Sequence, residues 1–505
     1  MHALLDEAAA EVPDASAIRD ANGAWSYRRL AAFSHAFADW LRAHGVGRGD
    51  RVLVQLPSSR ELVAMFYGTS RSGAVFVSLN PVMKPFHLRS VAENAEPALI
   101  IGDARTAGPL RELGAAPVHE LADVLADVTR RCADLERTEG QEPAATPRPA
   151  AAPAHPDDVA ALIYTSGSTA APKAVVSPHR QVVFATRALT RALGYRRDDV
   201  VFCRFPLSWD YGLYKVLMTC VARCEVVLAD GESDFVLLKR MRETGATVVP
   251  IVPSLATIIT QLARRDREEP PPVRMFTNTG AALPQSTIDA LRKHFPGARV
   301  VRQYGQTEAK RITVMPPEQD TERPTAVGLP LPGTRVLILD PEGAAVPTGQ
   351  TGEIVAEGPH VMSGYWRNPE VSERTFRTDP ATGAPRLHTG DYGSLDEDGY
   401  LYFEGRRDDM FKRKGLRMST LEIESAAMDI PGVRAAAALA PTDRHDLALF
   451  VEADLDVPTI TDELIARLEP AKIPAVVRVL SEFPFTLHGK NARQELAALL
   501  DGENQ

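Results

Sequence analysis

The sequence predicts an α/β protein with a large N-terminal domain of layered α/β subdomains, a β-rich subdomain and a small C-terminal α+β lid domain. Short apolar segments alternate with amphipathic stretches through the first four hundred residues, which is typical of mainly parallel sheets covered by helices. Beyond residue 327 the pattern changes to paired strands with turn-rich connections. The length of 505 residues also indicates several domains, at about 150 residues each.

Individual elements follow from the local pattern in chain order. Apolar runs predict strands at Arg51–Gln55, 73–79, 98–102 and 200–204. Amphipathic spacing predicts helices over residues 58–72 and 284–295. Residues 135–156 are rich in Ala, Pro and Glu and predict a surface linker without chemistry.

The change of pattern near residue 327 gives the domain boundaries. Residues 334–340 and Gly352–Glu357 predict two strands of a hairpin, joined by the turn-rich segment PEGAAVPTGQ. A charged, turn-prone stretch at 406–409 then precedes a smaller αβ pattern. We therefore expect an N-terminal domain over 1–406, with its β-rich subdomain at about 327–406, and a lid domain over 407–505.

Composition excludes several classes of function. The chain has 57 basic and 66 acidic residues, a net charge of −9, without any block of like charge, which argues against nucleic acid as the main partner. No run of eighteen apolar residues predicts a membrane span, and the acidic N-terminus does not resemble a secretion signal. Four cysteines without CxxC spacing predict neither a disulfide scaffold nor a zinc site. We expect a cytoplasmic protein; the oligomeric state stays open.

The segment ALIYTSGSTAAPKA, residues 161–174, carries the most chemistry. An apolar strand runs into small and hydroxylated residues, whose backbone N–H and hydroxyl groups suit a polyphosphate, and a lysine adds positive charge. A P-loop requires GxxxxGK[ST], whereas here Pro172 precedes the lysine and Ala174 follows it. The candidate phosphate-binding residues are Thr165, Ser166, Gly167, Ser168, Thr169 and Lys173.

This loop resembles the phosphate-binding signature [YF]TSG[ST]TGxPKG of the adenylate-forming superfamily, which includes acyl-CoA synthetases, nonribosomal peptide adenylation domains and luciferases. Ala170 and Ala174 stand where that signature has glycine. Five further segments match the same superfamily in order: NTGAALP, YGQTE, TGD, GRRDDMFKRKGLRMSTLEIE and PFTLHGKNAR. The resemblance extends over nearly the whole chain.

The resemblance implies a role for particular residues in binding MgATP. The ring of Tyr304, followed by Gly305, would pack on adenine, Thr307 would bond the α-phosphate and Glu308 would hold Mg²⁺. Asp391 would accept both ribose hydroxyls, and Arg406 would reach the ribose or a phosphate. The backbone lining the adenine would belong to Gly280, Ala281 and Ala282.

The resemblance further implies two half-reactions. In the first, a substrate oxyanion attacks the α-phosphorus of ATP with Lys490 as the catalytic lysine, and pyrophosphate leaves. The lid would then rotate about a hinge at Asp408 and admit a thiol of CoA or phosphopantetheine. A carrier protein would have to be supplied in trans.

The substrate pocket is expected around FPLSWDYGLYK, residues 205–215, and just after the Mg²⁺ acid. Asp210 either binds an amine of the substrate or bonds backbone at a helix start; both interpretations stay open. One cation after Glu308 could hold a second anionic group, whereas we expect Arg311 to be solvated. The expected pocket residues are Trp209, Asp210, Tyr211, Tyr214, Lys215 and Lys310.

Three functions are consistent with these patterns. The leading hypothesis is an AMP-forming ligase for a small amino- or aryl-bearing carboxylate in bacterial secondary metabolism. The second is an ATP-dependent diazotase that activates nitrite and couples it to an aryl amine. The third is a non-catalytic nucleotide-binding homologue.

Overall fold

The computed structural model describes residues 1–83, 85–139, 154–165, 173–229, 231–406, 410–413, 416–442, 445–484 and 492–501. Within these ranges the architecture is mixed α/β, with two large mainly parallel sheets, a five-stranded antiparallel sheet and small C-terminal sheets. No helix in the described ranges is long and apolar enough to cross a membrane.

The first fifteen strands form the two large sheets. In chain order they are β1 (Ser16–Asp20), β2 (Gly23–Ser26), β3 (Arg51–Gln55), β4 (Val75–Ser78), β5 (Leu99–Gly102), β6 (Val118–Glu120), β7 (Val159–Thr165), β8 (Lys173–Pro178), β9 (Val200–Cys203), β10 (Glu225–Leu228), β11 (Val248–Ile251), β12 (Met275–Asn278), β13 (Arg299–Tyr304), β14 (Thr313–Val314) and β15 (Leu329–Pro330). The nine-stranded sheet has the order β15-β14-β13-β12-β11-β9-β10-β1-β2, and the six-stranded sheet the order β6-β5-β3-β4-β7-β8. Antiparallel strands lie only at their edges. The predicted strands are confirmed.

The β-rich region is an antiparallel sheet of β16 (Arg335–Leu339), β17 (Gly352–Glu357), β18 (Phe376–Thr378), β19 (Pro385–Leu395) and β20 (Leu401–Arg406). As predicted, β16 and β17 pair antiparallel, with Ile338 opposite Ile354. The C-terminal strands are β21 (Met410–Arg413), β22 (Leu416–Ser419), β23 (Val433–Leu439), β24 (Ala448–Ala453) and β25 (Val476–Leu480). They form a hairpin and a three-stranded sheet. The domain boundary at 406/407 stays a prediction.

Helices cover the sheets. They are α1 (Ala3–Glu11), α2 (Tyr27–Ala43), α3 (Arg60–Ser72), α4 (Pro85–Ala95), α5 (Ala107–Glu112), α6 (Leu121–Glu139), α7 (His179–Ala192), α8 (Asp210–Ala222), α9 (Leu237–Thr244), α10 (Pro253–Arg265), α11 (Gln285–His294), α12 (Pro369–Thr375), α13 (Thr420–Met428), α14 (Val457–Ile465) and α15 (Arg493–Asp501). The prediction of a linker from residue 135 was wrong at its start, because α6 continues to Glu139 through good helix formers. The remainder, 140–153, lies outside the described residues.

One apolar core joins the two large sheets and fixes the place of the site. Phe76 of β4, Phe202 of β9 and Phe276 of β12 belong to the same buried cluster. Strands β9, β11, β12 and β13 are adjacent and parallel, so their carboxyl ends meet at one edge. In open α/β sheets this edge is where ligands bind.

Gly328 offers a test of how the nine-stranded sheet joins the β-rich region. Its φ is +102°, and an added Cβ would lie 2.1 Å from Met315 N. Its carbonyl accepts a hydrogen bond from Leu401 N at 2.9 Å. We expect Gly328→Ala to lower the free energy of unfolding by at least about 2 kcal/mol, measured by denaturant titration.

The matched control is Gly399→Ala, at φ +83° with its nearest neighbour 4.0 Å away. It shares the backbone strain without the clash and is expected to cost about 1 kcal/mol. Equal losses for the two variants would contradict the importance of the close approach.

Candidate active site

Asp391 is a buried carboxylate, and one of its two oxygens accepts hydrogen bonds from other side chains. Its Oδ2 accepts hydrogen bonds from Tyr304 Oη at 2.7 Å and Gln306 Nε2 at 2.8 Å. Its Oδ1 has no hydrogen-bond partner among the described residues, although Arg406 Nε lies 3.3 Å away. Burial raises the pKa of the Asp391 carboxyl. The second oxygen is therefore available to ligand hydroxyls, as the ribose role requires; the sequence did not indicate Gln306.

The segment expected beside adenine follows β12. Gly280, Ala281 and Ala282 are exposed, and Asn278 Nδ2 donates a hydrogen bond to the Ala281 carbonyl at 2.9 Å. Tyr304, at the end of the neighbouring β13, packs its ring 5.3 Å from that of Phe403. These residues lie at the carboxyl edge of the sheet, and their adenine contacts stay predictions.

The ends of the phosphate loop are held together by the pairing of β7 with β8. Thr165 lies opposite Lys173 in that antiparallel pair, and Thr165 Oγ1 donates to the Lys173 carbonyl at 3.4 Å. Ser166, Gly167, Ser168 and Thr169 lie outside the described residues, as do Asp408 and Lys490. Their predicted roles are untested.

Tyr365 lies between Lys173 and Glu308, and no pattern in the sequence indicated its role. Tyr365 Oη donates a hydrogen bond to Glu308 Oε1 at 2.7 Å, while Lys173 Nζ lies 5.7 Å from the Tyr365 ring centroid. Burial raises the pKa of the Tyr365 hydroxyl, which keeps it a donor. The segment around Tyr365 runs along β8, where Trp366 N donates to the Ala174 carbonyl at 2.8 Å.

Glu308 fits a magnesium ion that arrives with a nucleotide. It is half-buried beside Thr307, and no group of three potential metal ligands occurs among the described residues. Protein Mg²⁺ sites at phosphates commonly use one or two carboxylates and take their other ligands from phosphates and water. A single carboxylate next to a phosphate loop satisfies that pattern.

A small cavity of about 10 Å³ lies between α8 and the loop that follows β13. Its α8 wall has residues spaced by three, four and seven positions, which is one face of a helix. The lining residues are Leu189, Asp210, Tyr211, Tyr214, Lys215, Met218, Gln303, Lys310 and Arg311. Trp209 is not among them; its ring centroid lies 6.3 Å from that of Phe205.

Three cations in this wall are buried: Lys310 is 1%, Lys215 2% and Arg311 6% exposed. The expectation that Arg311 is solvated was wrong, because the backbone turn at Lys310 directs it inward against Tyr211. Lys215 Nζ and Arg311 Cζ lie 4.3 and 4.8 Å from the Tyr211 ring centroid. Lys310 Nζ lies 5.4 Å from that of Tyr214.

Asp210 is the acid in the cavity wall. Its Oδ2 lies 3.9 Å from Arg311 Nη1, and it makes no hydrogen bond to described backbone. Of the two interpretations of Asp210, the structure therefore favours a carboxylate that faces the cavity. Two further polar atoms of the lining, Tyr214 Oη and Gln303 Nε2, lack hydrogen-bond partners in the described part of the chain.

Burial perturbs both lysines. Desolvation, with a contribution from the positive charge of Arg311, lowers the pKa of Lys215 to about 7. Desolvation also lowers the pKa of Lys310 to about 8, although Asp210 and Glu308 act in the opposite direction. Both shifts indicate positive charges that the empty cavity does not balance.

A close backbone approach holds the cationic loop in place. A Cβ on Gly305 would lie 2.6 Å from Arg311 Cα and 2.7 Å from the Lys310 carbonyl oxygen. Lys310 has a φ of +62°, a left-handed conformation that is uncommon for lysine. Ile312 N donates to the Tyr304 carbonyl at 2.8 Å. The loop thus returns to the end of β13, which places both cations beside Tyr304 and Glu308.

Known proteins share this sequence and fold. The profile of the family described as AMP-binding enzyme matches residues 5–366. The probable nonribosomal peptide synthetase CymA of Salinispora arenicola is 31% identical over 98% of this chain, which spans 6% of that synthetase. ATP-bound MatB from Rhodopseudomonas palustris is 28% identical, with a TM-score of 0.84 over 99% of this chain and 98% of MatB.

VinN has a still more similar sequence. The structure of VinN in complex with L-aspartate is 51% identical, covers 80% of this chain and 98% of VinN, and has a TM-score of 0.72. VinN also has a structure in complex with 3-methylaspartate. The profile match covers well over half of the chain. The chain therefore belongs to the AMP-binding enzyme family of the adenylate-forming superfamily, and it is an adenylating enzyme.

Proposed function

We propose that this protein is an AMP-forming ligase that uses MgATP to activate a small amino acid bearing a second acidic group. The observation that carries the proposal is the cavity with three buried cations and one carboxylate, Asp210. Buried charges are stable when they are paired or hydrogen-bonded. Arg311 is bonded to Gln303 Oε1 at 3.3 Å and lies near Asp210. Lys310 is bonded to Ser177. An anionic ligand would therefore chiefly complete the environment of Lys215. Asp210 supplies the matching partner for an ammonium group of the same ligand.

The similarity to VinN supports the same substrate class, because VinN has structures in complex with L-aspartate and 3-methylaspartate, both amino dicarboxylates. The cavity is small in this structure, about 10 Å³, far below the range of about 300–1,000 Å³ that holds drug-sized ligands. Side chains of its wall must therefore move to admit even a compact substrate, and a long alkyl chain would require a larger rearrangement.

In the proposed first step, a carboxylate oxygen of the substrate attacks the α-phosphorus of ATP, the new P–O bond forms and the bond to pyrophosphate breaks. Two anions approach each other, so the barrier is lowered mainly by positioning and by positive charge. Lys310, in the cavity wall near Glu308, would hold the attacking carboxylate, and Asp391 would fix the ribose. Mg²⁺ on Glu308 would offset charge on the departing pyrophosphate. Lys490 is the proposed catalytic lysine.

The second step would transfer the acyl group from AMP to a thiol of CoA or of a phosphopantetheine carrier protein supplied in trans. Rotation about Asp408 would separate the two steps. This part of the proposal is carried by the family and by the match to a nonribosomal peptide synthetase.

The test is pyrophosphate release from MgATP with L-aspartate, 3-methylaspartate, neutral amino acids, aryl acids, and nitrite with an aryl amine. We expect release with an amino dicarboxylate, lost in Lys490→Ala. Asp210→Asn, which keeps the shape but loses the charge, is expected to lower kcat/KM about 10- to 100-fold. Release with nitrite only would favour the diazotase instead, and ATP binding without any release would favour a non-catalytic homologue.

Tyr365→Phe tests whether the hydrogen bond to Glu308 supports metal binding. Removing a hydrogen bond to a charged acceptor costs about 1.5–3 kcal/mol when it is buried, so we expect kcat/KM for MgATP to fall about tenfold and the Mg²⁺ requirement to rise. The measurement is initial rate against Mg²⁺ concentration at fixed ATP.

The control for this variant is Tyr27→Phe, which removes hydrogen bonds of 2.9 and 2.7 Å to the carbonyls of Thr219 and Cys224. It is expected to lower Tm but to leave the Mg²⁺ dependence unchanged. An unchanged Mg²⁺ dependence in Tyr365→Phe would show that Glu308 does not need this partner.

The pKa of Lys215 predicts how substrate affinity depends on pH. Burial lowers the pKa of Lys215 to about 7, so this lysine loses its charge as pH rises through that range. An anionic substrate needs the charged form. We therefore expect KM for the acid to rise from pH 6.5 to 8.5 at saturating ATP, and to rise less steeply in Lys215→Met. A KM that falls or stays constant over this range would contradict the assignment.

A further inference from the structure

Helix α8 contributes both an acid and a cation to the cavity wall, at different heights along its axis. Asp210 begins the helix, and Lys215 lies five residues later among the lining residues. At 1.5 Å per residue, the Cα of Lys215 is about 7.5 Å further along the helix axis. Met218, one turn beyond Tyr214 and Lys215, also lines the cavity.

Lys215 forms no ion pair with a carboxylate of the described residues. No acidic oxygen among them lies within 4.0 Å of its Nζ, which faces the Tyr211 ring with Arg311 near the same ring, although the charge of Asp210 acts on it from a greater distance. Tyr211 cannot neutralise it, because its hydroxyl donates to the Thr277 carbonyl at 2.6 Å and burial raises its pKa. Asp210, the acid of the cavity, already lies within ion-pair distance of Arg311.

Lys310 occupies a different position. Its Nζ donates to Ser177 Oγ at 3.4 Å, lies beside Tyr214 and is influenced by the charge of Glu308. The cavity therefore has two cationic positions, one near the acid expected to hold Mg²⁺ and one at Lys215 and Arg311. A single carboxylate at Lys310 would leave the second position unoccupied.

We propose, as an extension of the proposed function above, that Lys215 is a specificity-determining residue that binds the second acidic group of the substrate, together with Arg311, beside the Tyr211 ring. The reacting carboxylate would then lie near Lys310 and the amine near Asp210. The substrate class is an amino acid with an ionised oxygen group remote from the reacting carboxylate. Burial lowers the pKa of Lys215 to about 7, and such a group would stabilise its charged form.

The experiment compares aspartate, glutamate and 2-aminoadipate with their two monoamides in the pyrophosphate assay. The readout is the ratio of kcat/KM for each diacid to kcat/KM for its better monoamide, in the wild type, Lys215→Met, Lys215→Gln and Lys215→Arg. Lys239→Met, at a side chain that is 72% exposed, is the control. We expect the ratio for the preferred diacid to fall at least about tenfold in Lys215→Met, through KM, with kcat within twofold.

The other variants complete the test. Lys215→Arg and Lys239→Met are expected to keep the wild-type ratio, and Lys215→Gln is expected to lose it. Lys215→Met removes a buried charge, so its Tm is expected to be no lower than that of the wild type; if it unfolds, Lys215→Gln gives the same comparison. An unchanged ratio in a folded Lys215 variant would overturn the role of Lys215. A wild-type enzyme that activates none of the diacids would instead overturn the proposed function, before any variant is considered.

Discussion

Three cations buried beside one carboxylate are the constraint around which the site is built. Burying an ion costs several kcal/mol even after the protein relaxes. An ion that loses its charged partner still carries this cost. The faces of Tyr211 and Tyr214 offset part of it, since a cation–π contact contributes about 0.5–2 kcal/mol. The negative charge of Asp210 offsets another part of the cost of burying the cations. Hydrogen bonds from Arg311 to Gln303 and from Lys310 to Ser177 offset a further part, and under the proposed function the acidic substrate offsets the remainder.

The fold keeps these charges in place without a ligand. Tyr211 is fixed by its hydrogen bond to the Thr277 carbonyl in β12, so the ring that both Lys215 and Arg311 face has a defined position. Lys310 and Arg311 are fixed by the close contact of their backbone with Gly305, at the end of the adjacent strand β13. Helix and loop therefore meet at the carboxyl edge of one sheet. Rigid placement matters, because a cation that could swing into water would lose its preference for an anionic substrate.

At the same edge of the sheet, the residues proposed to bind the nucleotide are held in place by hydrogen bonds. Asp391 has one oxygen held by Tyr304 and Gln306, which orients the other, and Tyr365 holds Glu308 in the same manner. These contacts join residues that are 57 to 87 positions apart in the chain. The two halves of the site share the segment 304–311, since Tyr304 and Glu308 are the residues proposed for the nucleotide while Lys310 and Arg311 line the cavity.

Much of the fold was predictable from the sequence because its signals are local. The strand at Arg51–Gln55 is a short apolar run, and the pair β16 and β17 follows from a turn-rich connection between two such runs. The end of α6 was not predictable from the sequence, because composition alone did not show where the helix ends and a linker begins. The motif residues were predictable in order, but their contacts were not.

The residues of the charged cavity were also predictable only in part. The sequence indicated Asp210, Lys215 and Lys310 as pocket residues, whereas Arg311 was expected in solvent. Its burial depends on the left-handed backbone of Lys310 and on Gly305, and neither can be inferred from residue type alone. A usable signal was present in α8, where Tyr211, Tyr214, Lys215 and Met218 have the spacing of one helical face. Tyr365 had no such signal, because its partner Glu308 is distant in sequence.

Proton uptake on ligand binding shows whether an anion completes the cavity. Calorimetric titration of L-aspartate into the protein at pH 8, in two buffers of different ionisation enthalpy, measures the number of protons taken up. Because burial lowers the pKa of Lys215 to about 7, a bound anion should recharge this lysine, with uptake of about one proton. Binding without proton uptake, or no binding of L-aspartate at all, would contradict the proposed role of the cavity.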